Sequence, residues 1–197
     1  MASDGREIEI KLPIGGVKQA RRLLRAAGFH VAKRRVFEEN VLYDTQASEL
    51  RHSSRLLRIR ATGRSYKLTF KGAPEPGKHK NREEIETFVD DGSALDAILQ
   101  RLGFAAVFRY EKFRTEFQRG NSKGVATLDE TPIGTYLELE GDPQWIDGTA
   151  RKLGYEEKDY ITASYARLFQ EWRERNGSAA ADMLFPKTVS RHQLSGQ

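Results

Sequence analysis

The chain of 197 residues has no cysteine, two methionines, two tryptophans, six prolines and four histidines. The missing cysteines exclude disulfides, thiolate metal sites and a cysteine nucleophile. His30, His52, His79 and His192 are too scattered in sequence to suggest a shared zinc site. No apolar run approaches the ~20 residues that span a bilayer. The opening residues, MASDGREIEIK, lack the apolar segment of a secretory signal. The glycine-rich stretches fit neither a Walker loop nor a dinucleotide fingerprint. These absences point to a soluble, cytoplasmic protein without a membrane partner.

Charge is what the sequence has in abundance. Lys and Arg number 33 against 28 Asp and Glu, a net charge of +5, and ten Phe with seven Tyr argue against a disordered chain. A small basic surplus within so large a gross charge suits an anionic partner, and the arrangement of the charges matters more than their sum. The length fits one domain, read here as residues 1–175, followed by a tail over 176–197 in which periodicity vanishes.

Strand-like alternation dominates the domain. Glu7-Ile8-Glu9-Ile10-Lys11-Leu12 alternates strictly and ends at Pro13. Further extended segments are expected at 31–39, 40–44, 56–60, 65–71, 82–89, 107–118, 125–129 and 136–140. Helices are expected at 17–27 with Gly28 as stop, at 93–102 with Ser93 as N-cap, from Asp142-Pro143 to Leu153, and at 162–175. Residues 72–81, with two prolines and two glycines, read as a loop. Sequential strands outnumbering helices give an α+β class with an antiparallel sheet or barrel.

Because strand side chains alternate with period two, each strand carries its charges on one face. That face collects the cations Lys11, Arg58, Arg60, Lys67, Lys71, Arg82, Lys112 and Arg114, and the acids Glu7, Glu9, Glu84, Glu86, Glu116, Asp129, Glu138 and Glu140. An antiparallel sheet with one wetted face shows the same alternation, its charges pairing across strands. Two features favour chemistry instead. Alternate arginines and lysines grip phosphate oxygens. Glu-x-Glu occurs three times, at 7/9, 84/86 and 138/140, and each pair projects two carboxylates roughly 7 Å apart to one side, as hard oxygen-seeking cations require. If the sheet closed with this face inward, one lumen would hold both sets.

EIEIK at 7–11 resembles the ExExK signature of the CYTH superfamily, the triphosphate tunnel enzymes. LLRIR (56–60), KLTFKG (67–72), REEIE (82–86), EKFRTEF (111–117), ATLDETPIG (126–134) and YLELEG (136–141) resemble the family's successive strands in order. YITASYARLF (160–169) is similar to the closing helix of its class IV adenylyl cyclase branch, as are the segment 37–44 and the loop 72–81. The resemblance implies a closed antiparallel β-barrel of about eight strands with helices packed outside and a charged tunnel within. It implies that Lys11, Arg58, Arg60, Lys71, Arg82, Lys112 and Arg114 bind the phosphate chain. Glu7, Glu9, Glu138 and Glu140 would hold Mg²⁺ or Mn²⁺, while Glu84, Glu86 and Asp129 would serve catalysis through a second metal or by positioning the nucleophile. The implied substrate is ATP, converted to cyclic AMP and pyrophosphate, or another small triphosphate hydrolysed at its terminal phosphate. A noncatalytic polyphosphate- or nucleotide-binding module is the rival of another class. A homodimer stays open. The basic loop Lys78-His79-Lys80-Asn81-Arg82 reads as solvated more readily than as a nucleic-acid patch. Tyr165, with Phe169 and Trp172 at helical spacing, reads as core.

Overall fold

The computed structural model describes residues 5–187. Eight strands form the barrel: β1 (Arg6–Ile14), β2 (His30–Thr45), β3 (Leu56–Thr62), β4 (Ser65–Lys71), β5 (Lys80–Val89), β6 (Phe104–Gln118), β7 (Val125–Thr131) and β8 (Gly134–Glu140). They close in the order β1-β5-β4-β3-β2-β6-β7-β8, with every neighbouring pair antiparallel. Closure leaves the barrel without an open edge. The helices are α1 (Val17–Ala26), a one-turn α2 (Glu49–His52), α3 (Gly92–Arg101), α4 (Pro143–Lys152) and α5 (Tyr165–Asn176). Among the described residues, no helix is long and apolar enough to cross a membrane.

The hydrophobic core lies outside the barrel. Ile10, Leu12, Phe117, Leu128, Leu137 and Leu139 alternate with charged residues along their strands and face outward, where Ala20 and Leu24 of α1 and Ile146 and Ala150 of α4 cover them. Each such side chain contributes about 1.5–3 kcal/mol by leaving water. The burial of these outward positions forces the intervening charged positions into the lumen. α3 covers a second outer patch around Tyr43 and Ile59. α5 lies against one end of the barrel, where Tyr165, Leu168 and Phe169 pack on Tyr110, Leu42, Phe108 and Tyr136.

The expected helix punctuation holds in most places. Asp142 Oδ1 accepts from the Trp145 amide at 2.8 Å with Pro143 in the first turn, and Gly28 leaves α1 at φ 85°, a backbone region open to glycine. Several local expectations differ from the structure. α3 is capped by Asp91, whose carboxylate accepts from the Ser93 and Ala94 amides at 2.9 Å each, so Ser93 is not the cap. Residues 31–44, expected as two segments, are one long strand with register shifts at Val31/Lys33, Lys33/Val36 and Leu42/Tyr43. Residues after α5, expected as a flexible tail, begin with a docked stretch: Met183 is fully buried and makes a parallel bridge to Tyr110 on β6. Backbone pairing explains the miss, since Met183 N donates to Arg109 O at 2.9 Å and Glu111 N to Met183 O at 3.0 Å. Such bonds leave no periodic trace in side chains. The rest of the tail, 188–197, lies outside the described residues.

Candidate active site

Strand register sets the charged side chains beside one another on neighbouring strands of the inner face. Glu7 lies opposite Arg82 and Lys11 opposite Glu138; Lys71 lies opposite Glu84, Arg60 opposite Lys67, and Arg114 opposite Asp129. Glu7, Glu9, Lys11, Arg58, Lys71, Arg82, Lys112, Asp129 and Glu138 are all buried. Charges this deep are tolerated only when paired.

Direct contacts gather the pairs into three clusters, around Asp129, Glu7 and Glu86. Asp129 accepts from Lys112 Nζ at 2.8 Å, from Arg114 Nε at 2.7 Å and Nη2 at 2.6 Å, and from the Tyr165 hydroxyl at 2.8 Å. Arg114 also pairs with Glu138, and Lys11 bridges Glu138 at 3.2 Å and Glu9 at 3.1 Å. Glu9 accepts from Lys80 at 2.9 Å. Glu7 takes Lys71 at 2.5 Å and Arg82 at 3.0 Å, and Lys71 reaches Glu84 at 2.9 Å. Glu86 pairs with Lys67 at 2.7 Å and with Arg58 at 3.6 Å. Burial alone would raise the Glu9 and Glu138 carboxyls, but neighbouring cations outweigh it and hold both well below the usual carboxylate range, Lys11 and Lys80 acting on Glu9, Arg114 and Lys11 on Glu138.

Two acids behave oppositely. Glu140 stands at the rim, more open to solvent than Glu138. Desolvation of its carboxyl, followed by repulsion from Glu7, Glu9 and Glu84, pushes it up to about 7. Glu84 is likewise raised, by burial and by Glu7, despite Lys71. Carboxylates from β1, β5 and β8 therefore crowd one side of the barrel with more negative charge than the adjacent lysines cancel. Hard oxygen donors in excess are what a divalent cation requires, so the donor set fits one. Among the described residues, no three acids stand converged as a coordination group, because Glu7, Glu9 and Glu138 are engaged by cations. A metal would have to displace those ammonium groups.

All the expected site residues face the lumen, with Glu86 and Glu140 toward its exposed margin. Asp129 differs in kind from the other two acids expected to serve catalysis: it is fully buried with its oxygens taken by Lys112, Arg114 and Tyr165. The structure adds residues that sequence reasoning did not assign. Lys80, read as part of the loop, opens β5 and reaches Glu9; its parity with Arg82 was the available signal. Glu38 and Asn40 on β2 face inward beside Lys112, Arg60 and Tyr110, the last of which accepts from Arg58 at 3.3 Å. Tyr165 is both core and site, its ring 5.3 Å from Lys11 Nζ and 5.2 Å from Lys112 Nζ. Lys78 and His79 are occupied elsewhere, each 2.8 Å from Asp147 of α4.

Four buried polar atoms along the lumen have no hydrogen-bond partner: Glu38 Oε2, Asn40 Nδ2, Arg58 Nε and Thr127 Oγ1. An unsatisfied buried donor costs ~1–3 kcal/mol, so these atoms mark positions where a polar ligand would be welcome.

A closed barrel with this interior has relatives. The CYTH domain profile matches residues 5–165. The chain belongs to the CYTH domain family. A Methanocaldococcus jannaschii protein, provisionally named an adenylate cyclase, is 30% identical over 135 residues, covering 68% of this chain and 75% of its own. Among solved structures, a provisionally named adenylate cyclase from Vibrio parahaemolyticus superposes with a TM-score of 0.73 at 18% identity, covering 85% of this chain and 99% of its own. The Hippeastrum protein HpAC1, whose structure is described as revealing a dominant triphosphatase activity, superposes with a TM-score of 0.61 at 22% identity, covering 84% and 95%. At these identities the two structures establish the shared CYTH fold.

Proposed function

We propose that this CYTH protein is a divalent-metal-dependent enzyme that binds a triphosphate in the barrel lumen, and that its reaction is adenylyl cyclisation of ATP. The observation that carries the proposal is the cation set on the inner face, with Lys11, Arg58, Lys71, Arg82 and Lys112 buried and Arg60 and Arg114 half-buried. A triphosphate bears about four negative charges, and positioned arginines and lysines supply most of what phosphoryl transfer asks of a protein. The relatives' cyclase names favour ATP.

In this reading Arg58, Lys112 and Arg114 bind the phosphate chain, and Tyr110 and Asp129 orient them. Asp129 thus becomes a positioning residue, since its oxygens are spoken for. Glu7, Glu9, Glu138 and Glu140 would hold Mg²⁺ or Mn²⁺. Bound there, the ion would neutralise phosphate oxygens as charge develops on the leaving group. Glu84, whose carboxyl is raised by burial and by Glu7, is suited to take the proton from the attacking hydroxyl. The ribose 3′-oxygen then bonds to the α-phosphorus as the bond to the pyrophosphate oxygen breaks.

Hydrolysis of the terminal phosphate is a second reading, favoured by the dominant triphosphatase activity of the Hippeastrum neighbour. The same cations would hold the chain with water as nucleophile. Incubation with Mg²⁺ or Mn²⁺ and ATP, tripolyphosphate or thiamine triphosphate separates the two. Cyclic AMP with pyrophosphate supports cyclisation, orthophosphate supports hydrolysis, and binding without turnover of any substrate contradicts both.

A further inference from the structure

The lumen is blocked at one end by α5 and open at the other. The open end widens into a cavity of about 260 Å³ whose lining includes Arg34, Glu38, Arg60, Lys67, Phe88 and Arg114. Phe88 has the inward register of β5, two steps beyond Glu86 and opposite Lys67, yet it is 72% exposed, the most exposed of the large hydrophobic side chains among the described residues. Lys67 Nζ stands 5.1 Å from its ring centroid. An aromatic ring held over solvent at the mouth of a polar cavity loses hydrophobic stabilisation and gives none back to the fold. At the base of the same cavity, the buried Oε2 of Glu38 lacks a hydrogen-bond partner and has only the ion-pair contacts of Arg60 at 3.5 Å and Lys112 at 3.6 Å.

We infer that this mouth is a nucleoside subsite, in which Phe88 is the stacking platform for the base and Glu38 Oε2 accepts a hydrogen bond from a ribose hydroxyl. The inference rests on the triphosphate reading of the lumen. With the phosphate chain among the inner cations and α5 across the far end, the remainder of a nucleoside triphosphate has to project through this mouth. Its flat base meets Phe88, the one aromatic ring among the described residues lining the cavity. The cations flanking the cavity, Arg60 and Arg114, are those adjoining the phosphate-binding interior, so base and chain are contiguous. Stacking of a base on an aromatic ring is sequence-tolerant and substantial, so Phe88 selects for the presence of a base over its absence. Phe88 is in this account a specificity-determining residue and takes no part in bond making.

The test is calorimetric titration of ATP and of tripolyphosphate into the full chain, its Phe88→Ala variant and its Phe88→Trp variant. ATP binding should weaken roughly tenfold in Phe88→Ala and return in Phe88→Trp, while tripolyphosphate binding stays within about twofold throughout. Unchanged ATP affinity in Phe88→Ala, or an equal loss for both ligands, overturns the nucleoside subsite while leaving the phosphate site standing. If tripolyphosphate fails to bind the unaltered chain, the triphosphate reading itself falls and this inference falls with it.

Discussion

Asp129 offers the sharpest perturbation of the interior, because Asp129→Asn removes one charge and almost no volume. The carboxylate is fully buried and accepts four hydrogen bonds between 2.6 and 2.8 Å, from Lys112, twice from Arg114, and from Tyr165. Charge-assisted bonds are worth ~1.5–3 kcal/mol apiece, but they act as a unit and do not sum. Breaking one partner of a buried pair costs ~3–5 kcal/mol. Lys112 and Arg114 keep other carboxylates, Glu38 at 3.6 Å and Glu138, which places the expected loss near the lower end, about 3 kcal/mol. For a chain of this size that lowers Tm by roughly 6–12 °C. The freed cations would then be better satisfied by an added anion, so tripolyphosphate should raise the Tm of Asp129→Asn more than that of the unaltered chain. Thermal unfolding followed by circular dichroism, with and without tripolyphosphate, measures both effects. A Tm within 2 °C of the unaltered chain, or a smaller ligand-induced gain in the variant, would refute this account of the interior.

Other consequences follow from the same geometry. Leu137→Ala, at a fully buried outward position, should cost about 2–5 kcal/mol in chemical denaturation without altering ligand affinity per folded molecule. Met183→Ala should cost about 2–5 kcal/mol in the same assay, where a free tail would give no change. Glu38 is held at about 2 against an ordinary 4.5, since Lys112, Arg60, Arg114 and Arg58 outweigh its burial. Its folded value lies below the unfolded one, so its stabilisation is present above pH 4.5 and is lost as pH falls toward 2. The stability gap between the unaltered chain and Glu38→Gln should therefore close over that window; a gap independent of pH would show that Glu38 is not held as an ion.

The sequence made the inner face legible where alternation was strict. β1, β3, β4 and β8 each show charged residues in step with aliphatic ones, and their parity alone assembled Glu7, Lys11, Arg58, Arg60, Lys71 and Glu138 on one wall. β2 hid its contribution because Glu39 puts a charge at the outward parity and Leu42 an apolar side chain at the inward one, which blurs the alternation that would have marked Glu38 and Asn40 as inward. Tyr165 was legible as core by its helical spacing, but the reach of its hydroxyl to Asp129 depends on how α5 seats against the barrel, a tertiary fact. Lys80 was concealed by its neighbours: Lys78 and His79 turn outward to Asp147, and only pairing of β5 with β1 sends Lys80 inward. The docking of Met183 on β6 was invisible because backbone groups carry it.

The central claim is that the buried cations exist to hold a phosphate chain, and Arg58 tests it most directly. Its guanidinium is buried, touches Tyr110 at 3.3 Å and Thr69 at 3.2 Å, and keeps Nε without a partner. Titration of tripolyphosphate and AMP into the unaltered chain, Arg58→Ala and Arg58→Lys reads the contribution. Tripolyphosphate should bind Arg58→Ala roughly ten- to a hundredfold more weakly, AMP should change far less, and Arg58→Lys should recover part of the loss because an ammonium lacks the guanidinium fork. Equal tripolyphosphate affinity for Arg58→Ala and the unaltered chain would contradict the claim and leave the inner charges as a structural lattice alone.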